Sequence, residues 1–262
     1  EADKIKKLYH DSINKYPVGA PYPISWKIDS SKKTMLNFKG YTGTQVSSKV
    51  TYSDRLKYDR NLPFTKKVAY QNYYLPDKKI RIPESYIVPK SWWRIVELLK
   101  LNQIEMVPIK KDTMVEATVY KIENFETVQN PYEGHYLHYN TQVSSEKERV
   151  QVSAGDYRIT TQQEGIRYLL ETLEPSATDS FFNWNFFDTI LQQKEGFSPY
   201  VWEDKAFELL ENDPVLQKEF ERKKTKDPLF AKNAYEQLDW IHKQSDHYEK
   251  AHLRYPILRI GD

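Results

Sequence analysis

The chain has 262 residues, a mass of 31.2 kDa and a formal net charge of +2, so it can bury a core without covalent staples. Charged residues make up 29% and hydrophobic residues 39%, a balance that excludes a disordered chain. The small net charge, with Lys-Lys pairs spread along the chain, argues against a nucleic-acid surface. The apolar runs are short, so the sequence predicts no membrane span.

Two features of the composition bear on function. Cysteine is absent, which excludes disulfides, thiol nucleophiles and cysteine-bound zinc. Aromatic residues reach 14%, which indicates either an aromatic core or a surface that stacks on sugars, peptides or a partner protein. The chain begins at Glu1 without a signal peptide, so we expect a processed product or a piece of a longer protein.

The N-terminal part is predicted to be mostly β-structure. Residues 1–16 are typical of a short connector helix, and residues 17–161 form a β-rich region with one embedded helix at about 91–102. A short strand at 85–89, this helix and a strand at 104–109 form one strand–helix–strand unit, which indicates a crossover between parallel strands. The other strands are short and closely spaced, which is typical of an antiparallel sheet or sandwich.

Residues 162–262 are predicted to be helical and to pack on the sheet, so the fold class is α+β. Four apolar residues at helical spacing predict a helix that ends at Pro175. An aromatic helix is expected at 179–190, with Trp184 packed under the loop at 196–200. Asp213-Pro214 and Asp227-Pro228 each predict a helix start, because an N-cap residue precedes a proline in the first turn. A last strand is expected at 255–260.

Candidate site residues are few. His135 and His138 are weak metal candidates, because residues three apart in a strand point to opposite faces. Asp179 and Asp188 bracket the aromatic segment; they are either acids at an aromatic cleft or an N-cap and a surface acid. Trp184 is a candidate binding residue on the same segment.

Trp93 is a further binding candidate, since adjacent residues on a helix face different directions and Trp92 is assigned to the core. No residue in the chain is assigned a catalytic role, and no cofactor is expected in the chain itself.

Several segments resemble the C-terminal region of large bacterial, Bacteroidetes-type zinc carboxypeptidase-like proteins. The resemblance covers most of the chain from about residue 17. It rests on residues 82–89 (IPESYIVP) with Trp92-Trp93, 131–136 (PYEGHY), 154–157 (AGDY), 170–175 (LETLEP), 179–182 (DSFF), 184–188 (WNFFD), 192–200 (QQKEGFSPY) and 252–256 (HLRYP).

The resemblance implies a secreted or periplasmic parent protein, with the peptidase domain N-terminal to this region. Zinc in that domain is held by a His-x-x-Glu motif and a later His. None of the six histidines here is followed by Glu three positions on, so no catalytic residue is carried over. The resemblance therefore implies a non-catalytic region that docks on the peptidase domain and shapes access to its cleft.

Two alternatives stay open. The first is a binding module for envelope glycan or peptide that uses exposed aromatic side chains. The second is an independent hydrolase that uses carboxylates in an aromatic-lined cleft near Asp179 or Asp188. A contiguous exposed aromatic surface would favour the binding module, and two converging carboxylates would favour the hydrolase.

Overall fold

The structure is a computed structural model that describes residues 1–261, leaving the side chains of residues 9, 10 and 12–14 outside the described part. The chain divides into two compact units. One is Pro21–Arg81, called the ribbon unit here. The other, the sheet unit, combines Glu1–Ala20 with Ile82–Asp262.

The ribbon unit consists of paired antiparallel strands. Its strands are β1 (Pro21–Pro23), β2 (Trp26–Ile28), β3 (Thr34–Ser47), β4 (Asp54–Tyr70), β5 (Tyr74–Pro76) and β6 (Lys79–Arg81). The long strands β3 and β4 form a two-stranded ribbon with one register shift, next to Tyr41. β1 pairs with β6 and β2 with β5, so the entry and exit of the unit run side by side.

The sheet unit holds a six-stranded sheet in the order β10-β9-β12-β7-β11-β8. Its strands are β7 (Ser85–Val88), β8 (Val107–Pro108), β9 (Thr113–Thr127), β10 (His138–Val152), β11 (Tyr157–Thr160) and β12 (Leu258–Ile260). Its helices are α1 (Ala2–Lys15), α2 (Trp93–Leu101), α3 (Ile166–Leu173), α4 (Pro199–Asn212), α5 (Pro214–Lys226) and α6 (Ala234–Lys243). The α+β class is confirmed, with antiparallel strand pairs early in the chain and helices toward its end.

The boundary between the two units falls inside the predicted β-rich region 17–161, because residues 21–81 belong to one unit and residues 82–161 to the other. β7 pairs with both β11 and β12, so residues 82–161 are joined to the end of the chain. β11 lies between β7 and β8 and is antiparallel to both. The strands before and after α2 therefore run parallel, as a crossover requires, but they are not neighbours.

Helix α3 and the predicted start of α5 follow the sequence pattern. The four apolar residues that predict α3 are all buried: Ile166, Leu169, Leu170 and Leu173. At α5, the Asp213 carboxylate accepts hydrogen bonds from the backbone N–H groups of Val215 and Leu216, each at 3.0 Å. Asp213 is therefore the N-cap residue that the Asp-Pro pair predicts.

The single helix predicted after Asp227 is replaced by a short 3₁₀ turn and a separate helix, α6. Asp227 accepts from the backbone of Leu229 and Phe230, but only a 3₁₀ turn follows, at Phe230–Lys232. Asn233 then caps α6 by accepting from Glu236 N at 3.2 Å. Helices α4, α5 and α6 surround a core of their own, formed by Trp202, Ala206, Phe220, Phe230, Leu238 and Ile241.

The aromatic helix predicted at 179–190 is wrong. The segment has one helical turn, after which Asn185 adopts a left-handed conformation with φ +64°, and a separate 3₁₀ turn at Asp188–Ile190. Phe186 N donates to Phe181 O and Asn185 N donates to Phe182 O, each at 3.0 Å. These two bonds form a Schellman motif, which ends a helix at this point. The Phe181 and Phe186 rings meet edge to face at 5.3 Å and close the motif.

Candidate functional site

The candidate site forms where two distant segments meet. The first is a tight turn in which Tyr132 and His135 exchange two backbone hydrogen bonds of 2.8 and 2.9 Å. Glu133 and Gly134 occupy the turn with positive φ, the conformation of a type I′ hairpin turn. The second is the Schellman turn at 180–188. Asn185 joins the two, because its side-chain Nδ2 donates to Tyr136 O at 2.7 Å.

Aromatic rings from both segments form one cluster. The centroid of Trp184 lies 6.3 Å from that of Tyr132 and 5.5 Å from that of His135. His135 also stacks on Phe186 at 5.8 Å. Tyr132 and Tyr136 are more than half exposed, whereas Trp184 is half-buried. We call these five residues, Tyr132, His135, Tyr136, Trp184 and Phe186, the aromatic face.

His138 lies beneath the aromatic face and is 6% exposed. Its Nδ1 is hydrogen-bonded to Thr127 Oγ1 at 2.8 Å, and its Nε2 lies 3.1 Å from both Asp188 Oδ1 and Asn185 Nδ2. In either neutral tautomer both ring nitrogens have a protein partner. His135 instead contacts aromatic rings. The two histidines thus hold the aromatic face in place, and the geometry gives no support to a shared metal.

The two candidate acids are placed differently. Asp188 is half exposed and is bound to His138. Asp179 is exposed, and the cap of the following turn is Ser180, whose Oγ accepts from Asn183 N at 3.0 Å. The prediction that Asp179 caps this segment is therefore wrong. The carboxylate that joins the aromatic face is Asp188.

Trp184 differs from its prediction, whereas Trp92 and Trp93 follow theirs. The rings near Trp184 are those of the 131–136 turn and not the loop at 196–200, so the packed-loop prediction is wrong. Phe197 of that loop packs within the α4–α6 core, 6.0 Å from Trp202. Trp93 is 57% exposed beside Arg94, as expected for a surface residue, while Trp92 packs edge to face on Phe187 at 4.7 Å.

A buried polar network lies elsewhere in the sheet unit. Glu174 is 1% exposed and pairs with Arg259 at 2.6 Å, and the Tyr86 hydroxyl donates to the same carboxylate. Burial raises the pKa of Tyr86 well above its ordinary value, and the nearby Glu174 adds to the effect. The sequence did not reveal this network. Glu174 at the end of an apolar helix is typical of a solvated residue, and its partner Arg259 is 85 positions away.

Two clefts border the sheet near this network. One, of about 450 Å³, is lined by charged residues of both signs, among them Glu116, Lys147, Arg149 and Arg259. The other, of about 320 Å³, contains the bidentate Arg254–Glu148 pair at 2.8 and 2.9 Å. Basic side chains lie among the acids in both clefts, so neither presents the isolated pair of acids that a carboxylate hydrolase requires.

Comparison with known proteins gave no match: no protein-family model, curated protein or solved structure is significantly similar to the chain. Among the side chains that the structure describes, no group of three or more His, Asp or Glu is arranged to hold a metal ion. Over the same residues, every helix is too short or too polar to cross a lipid bilayer.

Proposed function

We propose that the chain is the non-catalytic C-terminal accessory region of a secreted or periplasmic zinc carboxypeptidase-like protein. In this proposal it docks on the peptidase domain of the same polypeptide and shapes access to the peptidase cleft. The zinc belongs to that domain, and no residue of this chain is assigned to it.

The arrangement of the eight segments that carry the resemblance supports this proposal. Within the sheet unit, seven of these eight segments each contact at least one other of the eight. The strand at 82–89 pairs with 154–157, and Tyr86 reaches Glu174 in 170–175. Tyr255 packs on Phe187 at 5.1 Å and donates to Leu173 O. These segments thus form one connected framework, as expected if they define one kind of domain.

The aromatic face carries the docking proposal. It is formed by two of these segments, 131–136 and 184–188, and both are fixed by hydrogen bonds to Asn185 and His138. Partly exposed Trp and Tyr side chains on a rigid frame are typical of binding hot spots, because little conformational entropy is lost when they are covered. The nearby His138 is 6% exposed, and both of its ring nitrogens are bonded to protein groups, so it presents no free nitrogen to a substrate.

The test is performed on the full parent polypeptide with its peptidase domain. We expect Trp184→Ala to change the KM for a C-terminal peptide by about thirtyfold, because a truncated tryptophan hot spot costs about 2 kcal/mol or more. Trp93→Ala is the matched control, since Trp93 is an exposed tryptophan outside the aromatic face. Kinetic constants of the Trp184 variant that equal those of the control would refute docking through this face.

A second candidate is a module that binds envelope glycan or peptide. The exposed Tyr132 ring beside Trp184, with the half-exposed Asp188 carboxylate nearby, favours it. Calorimetric titration of the chain with cell-wall fragments separates the two proposals. Binding that Trp184→Ala abolishes, together with unchanged parent kinetics, would support the binding module instead.

The hydrolase alternative lacks support from Asp179, which is exposed and is not among the residues that join the aromatic face.

A further inference from the structure

Charge is divided unequally between the two units. The ribbon unit contains thirteen Lys and Arg residues, four Asp residues and no Glu, a net charge of +9 in 61 residues. The rest of the chain carries 26 basic and 33 acidic residues, a net charge of −7. The even spread of Lys-Lys pairs hides this difference in the sequence. The ribbon unit is therefore a strongly basic surface in a nearly neutral chain.

Most of this positive charge is available to a partner. Lys27 pairs with Asp77 at 3.0 Å, and Lys32 lies 3.6 Å from Asp29. No carboxylate of the described residues lies within ion-pair distance of the ribbon cations Lys39, Arg55, Lys57, Lys66 and Lys67. These cations stand on both strands of the β3–β4 ribbon.

Large apolar side chains are interleaved with these cations. Phe38 lies directly across from Lys66, and the rings of Phe38 and Phe64 are 6.3 Å apart over Gly40. Phe38 is 51% exposed and Tyr58 is 61% exposed. A two-stranded ribbon alone is only marginally stable in water, so an uncovered apolar and basic ribbon indicates a partner surface.

The tip of the ribbon, residues 48–53, identifies the kind of partner. Val50 and Tyr52 are 85% and 86% exposed, far more than the ribbon rings. Several backbone N–H groups of the tip are bonded within the tip itself. Ser48 Oγ accepts from Val50 N and Thr51 N, and Tyr52 N donates to Ser48 O at 3.1 Å. An exposed apolar tip on a basic ribbon suits a lipid interface, where apolar area and cations both contribute to binding.

We propose that the ribbon unit docks on an anionic lipid bilayer, with Val50 and Tyr52 entering the headgroup region. Tyrosine favours this interface, where its ring is apolar and its hydroxyl stays hydrated. The ribbon cations attract the negative leaflet, with Lys49 in the tip itself and Arg55 two positions after it. A soluble polyanion would use the same cations but would gain little from an exposed valine at the tip. The inference does not depend on docking to a peptidase.

The test is co-sedimentation of the full chain with vesicles of phosphatidylcholine alone or mixed with phosphatidylglycerol. We expect binding only to the mixed vesicles, and its loss when salt rises from about 0.1 M to about 1 M. The Val50→Ser/Tyr52→Ser variant should bind about tenfold more weakly, because the apolar contribution is removed without a change in charge. Changing Lys39, Lys57, Lys66 and Lys67 to Gln should weaken binding about a hundredfold.

The matched control is Tyr200→Ser/Val215→Ser, which removes the same two residue types from exposed positions of the sheet unit and should bind as the unchanged chain does. Circular dichroism melts confirm that all variants are folded. Absence of binding to the mixed vesicles at low salt would overturn the proposal. The proposal would also be overturned if the tip variant bound the vesicles as tightly as the unchanged chain and heparin displaced both. The ribbon would then be a surface that binds polyanions in general.

Discussion

Asn185 determines the geometry of the aromatic face through its backbone and its side chain. Its φ of +64° ends the helical turn that presents Trp184, and its amide reaches Tyr136 O. Alanine and glycine at this position both remove the amide, but only glycine adopts φ > 0 without steric cost.

We therefore expect Asn185→Ala to be less stable than Asn185→Gly by about 1 kcal/mol. Urea unfolding of the two variants measures the difference. Equal midpoints and slopes would show that the left-handed backbone is not strained at this residue.

Arg259 and Glu174 form a buried pair whose members depend on each other. Arg259→Met removes the guanidinium that pairs with the buried Glu174 carboxylate, although the Tyr86 hydroxyl still donates to it. We expect a loss of about 3–5 kcal/mol in unfolding free energy, because a buried charge without its counter-ion is costly. The double variant with Glu174→Gln should recover part of this loss in a double-mutant cycle. A loss below about 1 kcal/mol in the single variant would contradict the account.

His242 should make stability depend on pH. It is 2% exposed among the rings of Phe197 and Trp202, and its Nδ1 has no hydrogen-bond partner in the described part of the chain. Burial lowers its pKa from the ordinary 6.5, although the nearby Asp239 opposes the shift. The unfolded chain then binds a proton that the folded chain does not.

The stabilising effect is complete above the unfolded pKa and is lost as the pH falls below about 6.5. We expect the unfolding free energy to decrease between about pH 7.5 and pH 5.5, and His242→Phe to reduce that slope. Denaturant melts at the two pH values provide the comparison. An identical slope in the variant would mean that His242 does not contribute to the pH dependence.

Individual helices were predicted correctly where the local sequence carried a strong pattern of apolar residues or a clear N-cap. Helix α3 has a complete apolar stripe, and α5 has its Asp-Pro start, so the sequence predicts both. Helix α4 was missed because only Trp202 and Ala206 of its residues are buried, while Tyr200 and Phe207 are exposed. The helix expected at 179–190 failed for the opposite reason. Its apolar residues are buried, but a single left-handed residue reverses the chain.

The N-cap of α5 offers a test at this scale. Asp213→Ala removes the acceptor for two backbone N–H groups, so we expect a loss of about 1 kcal/mol in the unfolding free energy. Asp213→Asn is the matched control, since asparagine caps as well as aspartate. The measurement is thermal or urea unfolding of both variants. If the two variants lose the same stability, the effect comes from charge and not from the cap.

At the scale of the whole molecule, the sequence predicted the α+β class but not the candidate site. Trp184 and Asp188 were singled out, yet their neighbours Tyr132 and His138 come from a different part of the chain. These contacts depend on the register of β9 and β10 and on the Asn185 turn, and neither has a clear local signal. The concentration of charge in the ribbon unit is equally hidden until the boundaries Pro21 and Arg81 are known.

In the proposed arrangement, a peptidase domain of the same polypeptide covers the aromatic face. The most direct measurement is hydrogen–deuterium exchange of the chain alone and of the same chain within its parent polypeptide. We predict slower exchange at residues 131–136 and 184–188 in the parent, with α5 as an internal reference that stays unchanged. Equal exchange at both segments, with protection appearing elsewhere or nowhere, would contradict the claim.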